Sequence, residues 1–369
     1  MPKKLLIIGG GFAGCAAAHQ ISLKGGWDVT LVERQSKLGG GVRTLYWGGH
    51  PYTIGPRHFL TPHEYLFSYL NTYVPMRRIP EHEFLTYIER DPGFYHFPIH
   101  VDDIDLMPDK DQVRREIAAR PGVIEARDLE DYWVQSVGRT LYSKFINNYS
   151  RKMWDVESNT QIDQFSFSPK GVALKSGPKA AWTEAISAFP LAFNGYDDYF
   201  TIATQGVTVK THTMAEDYDT ERLGIKVEGT WHYYDAWVNT ISPETIMKYA
   251  YGKLRWLGRD FMRIVLPIKE ALPKNVYFLY YANSEPFTRI VEYKKFYNGY
   301  ESDTTLLGLE IPSHSNELYP YPVTAEQKKA QRYFDNMPGN IHSIGRAGIY
   351  RYIDIDDIIA QAMEVAKRL

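Results

Sequence analysis

Leu5-Leu6-Ile7-Ile8-Gly9-Gly10-Gly11-Phe12-Ala13-Gly14, followed by Cys15-Ala16-Ala17-Ala18, is the stretch that decides the architecture. Four apolar residues in a row suit a central strand of a parallel sheet, buried on both faces. The glycines follow at once and fit G-x-G-x-x-G. Gly9 permits a tight turn, Gly11 lets backbone approach a pyrophosphate, and Gly14 allows close contact between helix and strand. The helix that Ala16-Ala17-Ala18 opens directs its free N–H groups at the same place. Trp27-Asp28-Val29-Thr30-Leu31-Val32 reads as the second strand. Glu33, 22 positions after Gly11, stands where an acid accepts from a ribose hydroxyl, with Arg34 beside it. A glycine-rich turn that binds nothing would not also have the second strand and the acid in register. The reading is a Rossmann βαβ unit that holds a dinucleotide.

Leu38-Gly39-Gly40-Gly41-Val42-Arg43-Thr44 comes just after the acid. It resembles the second glycine motif of the glutathione-reductase-like flavoproteins, in which a Gly-Gly segment passes under the cofactor. That position favours FAD over NAD. The expected cofactor contacts in this half are Gly9, Gly11, Phe12, Gly14, Glu33, Arg34, Gly39, Gly40 and Gly41.

Outward from the cradle the chain is less specific. Its 369 residues allow two or three structural units. A net charge of -2 argues against any general affinity for nucleic acid or for anionic membranes. The single cysteine, Cys15, rules out an internal disulfide and a Cys-rich metal site, and its small neighbours suggest packing. The eleven histidines lack metal spacing. The N-terminal apolar run is too short for a signal peptide, and no stretch approaches the ~20 apolar residues of a membrane span. These features point to a cytoplasmic protein. The 28 tyrosines and 8 tryptophans fit core packing and a stacking site equally well, and are compatible with a homodimer.

Residues 128–153 are expected to be helical, with Leu129, Trp133, Val137, Leu141 and Phe145 as an apolar stripe and Gly138 as an interruption. Segments within 205–240 alternate as strands, and Asp235–Thr240 reads as a strand returning to the cofactor. Residues 261–268 and 276–282 suggest a second sheet. Asp354 to Leu369 form an amphipathic helix with Ile355, Ile358, Ile359, Met363 and Val365 on its apolar side.

Three further blocks carry a family resemblance. Leu141-Tyr142 through Tyr149-Ser150-Arg151-Lys152-Met153-Trp154, Ala282 through Pro286-Phe287-Thr288-Arg289-Ile290-Val291-Glu292 to Phe296, and Ile344-Gly345-Arg346 through Tyr350-Arg351-Tyr352-Ile353-Asp354 are similar to segments of the UDP-galactopyranose mutases. The resemblance implies an α/β fold. A Rossmann-like FAD-binding domain, glutathione-reductase-like, would carry an inserted helical unit and an antiparallel β-sheet substrate unit. The expected boundaries are 1–70, 205–250 and 335–369 for the FAD-binding domain, 100–155 for the helical unit, and 71–99, 156–204 and 251–334 for the sheet. It also implies a flavin-dependent isomerase of nucleotide-diphosphate sugars, serving polysaccharide biosynthesis. In that chemistry N5 of reduced FAD attacks the anomeric carbon and expels the diphosphate, with no net redox, and NAD(P)H or another external reductant serves the flavin. Residue by residue, Arg289 would grip the diphosphate, Trp154 and Tyr149 would flank sugar and flavin, and Tyr321 would donate to a phosphate. Val209, Arg346, Asp354 and Ile355 complete the expected cofactor set.

The sequence also departs from the family. Arg57, in Gly55-Pro56-Arg57-His58-Phe59, falls where a histidine is expected beside the flavin, and either Arg57 or His58 would replace it or bind a different substrate group. Ile311 and Ile353 stand where two tyrosines would reach the diphosphate. Residues 156–205 offer no clear counterpart of a mobile-loop arginine. Asp198-Tyr199-Phe200 resembles a segment that stacks a uracil, but comes after the helix it should precede. An FAD-dependent oxidoreductase of the amine-oxidase-like class, or a non-catalytic flavin- or nucleotide-sugar-binding homologue, would share the first glycine motif and stay open on the residues alone. Arg289 could also be engaged by Glu285 or Glu292, and Arg346 by a structural ion pair.

Overall fold

The computed structural model describes residues 2–122, 124–163 and 174–369. The opening stretch forms the strand Lys3–Ile8 and the helix Phe12–Lys24. Lys3–Ile8 lies in the middle of a five-stranded parallel sheet. Its neighbours are Trp27–Val32 and Ala236–Asn239, and Thr208–Lys210 and Ile341–Ser343 form the edges. The chain therefore leaves this sheet and returns to it twice. One face is covered by Phe12–Lys24, Ile355–Arg368 and Asp197–Ala203, whose apolar residues share a core with Leu5, Ile7 and Leu31. The other face packs on the three-stranded antiparallel sheet Asp217–Asp219, Gly224–Val227 and Thr230–Tyr233 through Leu6, Ile8, Ile225 and Trp237. Burial on both faces is why the strand Leu5–Ile8 reads as an unbroken apolar run.

One expectation is corrected here. Val209 pairs with Leu31 and its side chain packs against the core instead of facing the cofactor cleft. Tyr199 and Phe200 are likewise buried under the first helix, with Tyr199 stacked on Phe12 at 5.4 Å. Their rings support the cradle from below, so they are not available to a base.

The second sheet has seven strands in the order Tyr319–Pro320, Trp256–Leu266, Thr305–Ser313, Arg289–Glu292, Val276–Tyr281, Glu83–Ile88 and Gly93–His96. It is antiparallel except where Val276–Tyr281 runs parallel to Glu83–Ile88. Against it lies a helical unit containing Leu129–Val137 and Asn148–Trp154, joined through Arg139–Tyr142 and a π-helical turn over Ser143–Asn147. Gly138 breaks the run at φ 89°, and Trp133, Val137, Leu141 and Phe145 are buried as the stripe requires. Among the described residues no helix is long and apolar enough to cross a membrane.

Candidate functional site

A cleft of about 1200 Å³ opens where the parallel sheet meets the seven-stranded sheet. At one end Gly9, Gly11, Phe12, Glu33, Arg34, Gly40 and Gly41 form its wall. Gly9 has φ +97°, which suits glycine. A Cβ on Gly14 would stand 1.9 Å from the carbonyl oxygen of Gly9, so this position closes helix onto strand and does not face the cleft. A Cβ on Gly11 would meet nothing within 4 Å, because that position looks into open space. The second glycine segment is zipped to the first: Gly39 N–H donates to Gly10 O at 2.8 Å, and Gly11 and Gly39 form a parallel bridge. Gly39 itself does not face the cleft, since a Cβ there would strike the Phe200 ring at 2.3 Å. Glu33 accepts at 2.7 Å from Gly10 N–H and, through its other oxygen, at 2.7 Å from Gln35 N–H. Each carboxylate oxygen keeps a lone pair for a hydroxyl. Beneath this wall Cys15 is fully buried, and burial pushes its thiol up to about 12, as a packing role requires.

The C-terminal segment adds Arg346, Asp354 and Ile355 to the lining. Asp354 caps the helix Ile355–Arg368 in a reciprocal capping box with Asp357, so a second helix N-terminus meets the cleft. Arg346 carries the structural ion pair considered for it. It lines the cleft, and it is also tied down by Ile353 O at 2.9 Å and Asp354 at 3.7 Å.

Beyond the glycines, Arg57, Arg289, Tyr319 and Tyr352 also face the cleft. A Cβ on Gly55 would lie 3.6 Å from Glu310, 3.7 Å from Arg289 and 4.0 Å from Arg57, which shows how closely these three groups gather. Arg57 donates to Gly41 O at 3.2 Å, bridging the glycine wall to this charged centre. Arg289 is not held by Glu285, which binds Lys152 at 3.1 Å, nor by Glu292, which accepts from Ala271 and Leu272 N–H. It forms a two-pronged pair with Glu310, at 2.9 Å from Nε and 2.6 Å from Nη2. Burial opposes the guanidinium charge, but Glu310 outweighs it and holds the group well above its ordinary range.

Arg289, Tyr319 and Tyr352 also line a smaller cavity of about 160 Å³ behind the cleft, together with Tyr149, Trp154, Arg259, Tyr280 and Glu310. Tyr149 meets Tyr280 edge-on at 5.3 Å, and Trp154 meets Tyr319 edge-on at 6.3 Å. Trp154 and Tyr149 thus share a cavity with Arg289. Tyr321 does not. Its hydroxyl donates to Asp155 O at 3.3 Å, its ring lies under Arg255 at 3.8 Å, and it lines neither space. Tyr319, two residues earlier, faces both. Ile311 points away too: the strand register sets it opposite Asp260, whereas its neighbour Glu310 faces the cavity. Ile353 lines the cleft but contributes its carbonyl to Arg346. Two phenols do reach the site, from Tyr319 and Tyr352, whose rings stack at 5.6 Å. Burial pushes the Tyr319 phenol up, but the guanidinia of Arg259, Arg57 and Arg346 outweigh it and hold the group below the ordinary phenol range.

Glu310, Arg259, Tyr319, Tyr352 and Tyr280 were missed by sequence reasoning. A signal existed for two of them. Glu310 is an acid inside the apolar run Leu306-Leu307-Gly308-Leu309-Glu310-Ile311, and Arg259 lies in Trp256-Leu257-Gly258-Arg259. A charge at a buried strand position needs a partner or a ligand.

The fold and the glycine-walled cleft define a Rossmann-type flavoprotein. The UDP-galactopyranose mutase family model matches residues 144–352, and a model of NAD(P)-binding Rossmann-like domains matches residues 7–73. The chain belongs to the UDP-galactopyranose mutase family, and it is an isomerase of the mutase type. It is 23% identical to the probable UDP-galactopyranose mutase of Klebsiella pneumoniae, over 99% of this chain and 94% of that one. It is also 23% identical to the dTDP-fucopyranose mutase of Escherichia coli, over 99% and 98%. A crystal structure of reduced UDP-galactopyranose mutase superposes with a TM-score of 0.84 at 16% identity, covering 100% of this chain and 95% of the other. That last likeness concerns the fold.

Proposed function

We propose that this enzyme interconverts the pyranose and furanose forms of a nucleotide-diphosphate sugar. The observation that carries the reading is the junction of the two spaces. The aromatic cavity and the glycine-walled cleft adjoin at Arg289, Tyr319 and Tyr352, which line both. The cleft exceeds the roughly 300–1,000 Å³ of an ordinary ligand pocket and has room for a cofactor with part of a substrate. On this reading residues 1–70, 205–250 and 335–369 form the FAD-binding domain.

The residues present suit FAD. Gly11 leaves open space where a pyrophosphate would approach, two helix N-termini supply anion-directed N–H groups, and Glu33 has lone pairs for a ribose. Reduced flavin would supply a nucleophilic N5 for displacement at the anomeric carbon, with no net redox change; an external reductant such as NAD(P)H would maintain it. Arg289 would orient the diphosphate and stabilise its departure, while Glu310 keeps that guanidinium in one rotamer. Tyr149 and Trp154 would flank the sugar nucleotide and exclude water from the reacting centre. Arg57, anchored on Gly41 O, would place a fixed positive charge where the family has a histidine.

The test is an isomerisation assay with dithionite-reduced and oxidised protein on UDP-, TDP- and GDP-hexoses, with furanose products separated by chromatography. A furanose formed only by the reduced sample is the expected result. Equal turnover with fully oxidised flavin would sink the mechanism. Bleaching of flavin by a sugar, without furanose, would move the enzyme to the amine-oxidase-like oxidoreductases.

A further inference from the structure

Arg259 is among the largest fully buried side chains of the molecule, with 2% of its surface exposed, and it lines the aromatic cavity. Its donors go to Gly258 O, to Met153 O at 3.3 Å and to the Met153 sulfur. Carbonyls and a thioether accept hydrogen bonds but do not neutralise a guanidinium. Among the described residues no carboxylate lies within ion-pair distance of it; Glu310, the one acid of the cavity, is taken by Arg289. Residues 164–173, Met1 and Val123 contain no Asp or Glu, so they hold no side-chain carboxylate to offer. A buried, uncompensated cation is costly and is retained where something else balances it.

The surroundings specify what would balance it. The ring of Tyr319, which lines both cavity and cleft, lies 4.5 Å beneath the Arg259 guanidinium. Arg57, Arg259 and Arg346 all act on the Tyr319 phenol. Around this point four guanidinia, those of Arg57, Arg259, Arg289 and Arg346, face two carboxylates, Glu310 and Asp354. Arg289 and Arg346 have those partners, whereas Arg57 and Arg259 form no ion pair among the described residues, a positive surplus that suits a diphosphate. No arginine occurs between Arg151 and Arg222, so a loop in that interval cannot bring one.

We propose that Arg259 is a second guanidinium for the substrate's diphosphate, supplied from the floor of the sheet. The inference rests on the nucleotide-sugar reading above. It assigns the charge-neutral, rotamer-fixing pair to Arg289 with Glu310, and the net attraction for the anion to Arg259.

The experiment is calorimetric binding of UDP, dTDP and GDP, with uridine, thymidine and guanosine as phosphate-free controls, to the FAD-loaded full chain and to Arg259→Met and Arg259→Lys. Flavin content and thermal unfolding are measured alongside. For the diphosphate that the unaltered protein prefers, Arg259→Met is expected to raise Kd roughly ten- to a hundredfold, as for a lost hydrogen bond to a charged group. The matching nucleoside should bind unchanged. Arg259→Lys, which keeps the charge without the planar fork, should fall between. Unchanged diphosphate affinity in Arg259→Met, or equal loss of diphosphate and nucleoside, overturns the assignment. If the unaltered protein binds none of the three diphosphates, the nucleotide-sugar reading falls and takes this inference with it.

Discussion

The glycine cradle of the cleft and the aromatic cavity behind it are built in opposite ways. In the cradle the wall is backbone: Gly9, Gly11, Gly40 and Gly41 offer no side chains, and Gly39 N–H ties the second turn to the first. All of it lies within residues 5–44. In the cavity the wall is side chain, and its members come from distant strands and helices, as when Arg259 meets Met153 across 106 positions. Added atoms at Gly9 or Gly14 would strike neighbouring groups, whereas at Gly11 they would enter open space. The cavity depends instead on charge balance among buried groups.

Removing the balance should give the largest effect. Glu310→Gln leaves the Arg289 guanidinium buried without its carboxylate, which costs about 3–5 kcal/mol in comparable cases. Denaturant unfolding should show that loss, and added UDP should restore more stability in the variant than in the parent. Equal stability of the two proteins would mean that Arg289 is neutralised elsewhere.

Two glycine substitutions sharpen the contrast within the cradle. Gly14→Val drives a side chain into the Gly9 carbonyl, and overpacking of this kind costs about 1–3 kcal/mol or more. Thermal unfolding of the flavin-free protein should report it. Gly11→Ala should cost that same protein about 1 kcal/mol at most, the preference of an N-cap for glycine over alanine. Its FAD affinity should nevertheless fall, because the methyl enters the space the cofactor would use. A much larger destabilisation of the flavin-free protein by Gly11→Ala would show that the turn itself is strained.

Smaller effects distinguish the two tyrosines near Pro320. Because guanidinia hold the Tyr319 phenol below its ordinary range, phenolate accumulates there below pH 10 and adds a negative charge beside the anion site. UDP affinity should therefore decline as pH rises toward 10, and Tyr319→Phe should flatten that decline. Tyr321→Phe removes one hydrogen bond to Asp155 O, worth about 1 kcal/mol of stability, and should leave both the affinity and its pH profile unchanged. A pH-independent parent would deny Tyr319 its place at the anion site.

The difference between these regions is also the difference between what could and could not be read in advance. The cradle was legible because each glycine answers to a local steric demand, and because strand, turn, helix and acid follow in sequence. The choice of Tyr321 over Tyr319 failed for a reason of register. Two residues on, around the turn after Tyr319–Pro320, the chain has left the sheet edge and turned its ring toward Arg255. Glu310 was passed over although an acid in an apolar strand is itself a signal. Its partner could not be inferred, because Arg289 had two nearer acids in sequence.

By itself the sequence determined the parallel strand, the glycine turns, the acid after the second strand, the apolar helical stripe and the amphipathic C-terminal helix. Each of these follows from side-chain size, backbone freedom and periodicity over a few neighbouring residues. Only the tertiary structure decided that Arg289 pairs with Glu310, that Val209 and Tyr199 belong to the core, and that Arg259 is buried facing the cavity without a carboxylate. Those outcomes depend on strand register and on which distant charges share a low-dielectric space, and neither is encoded in any short stretch of chain.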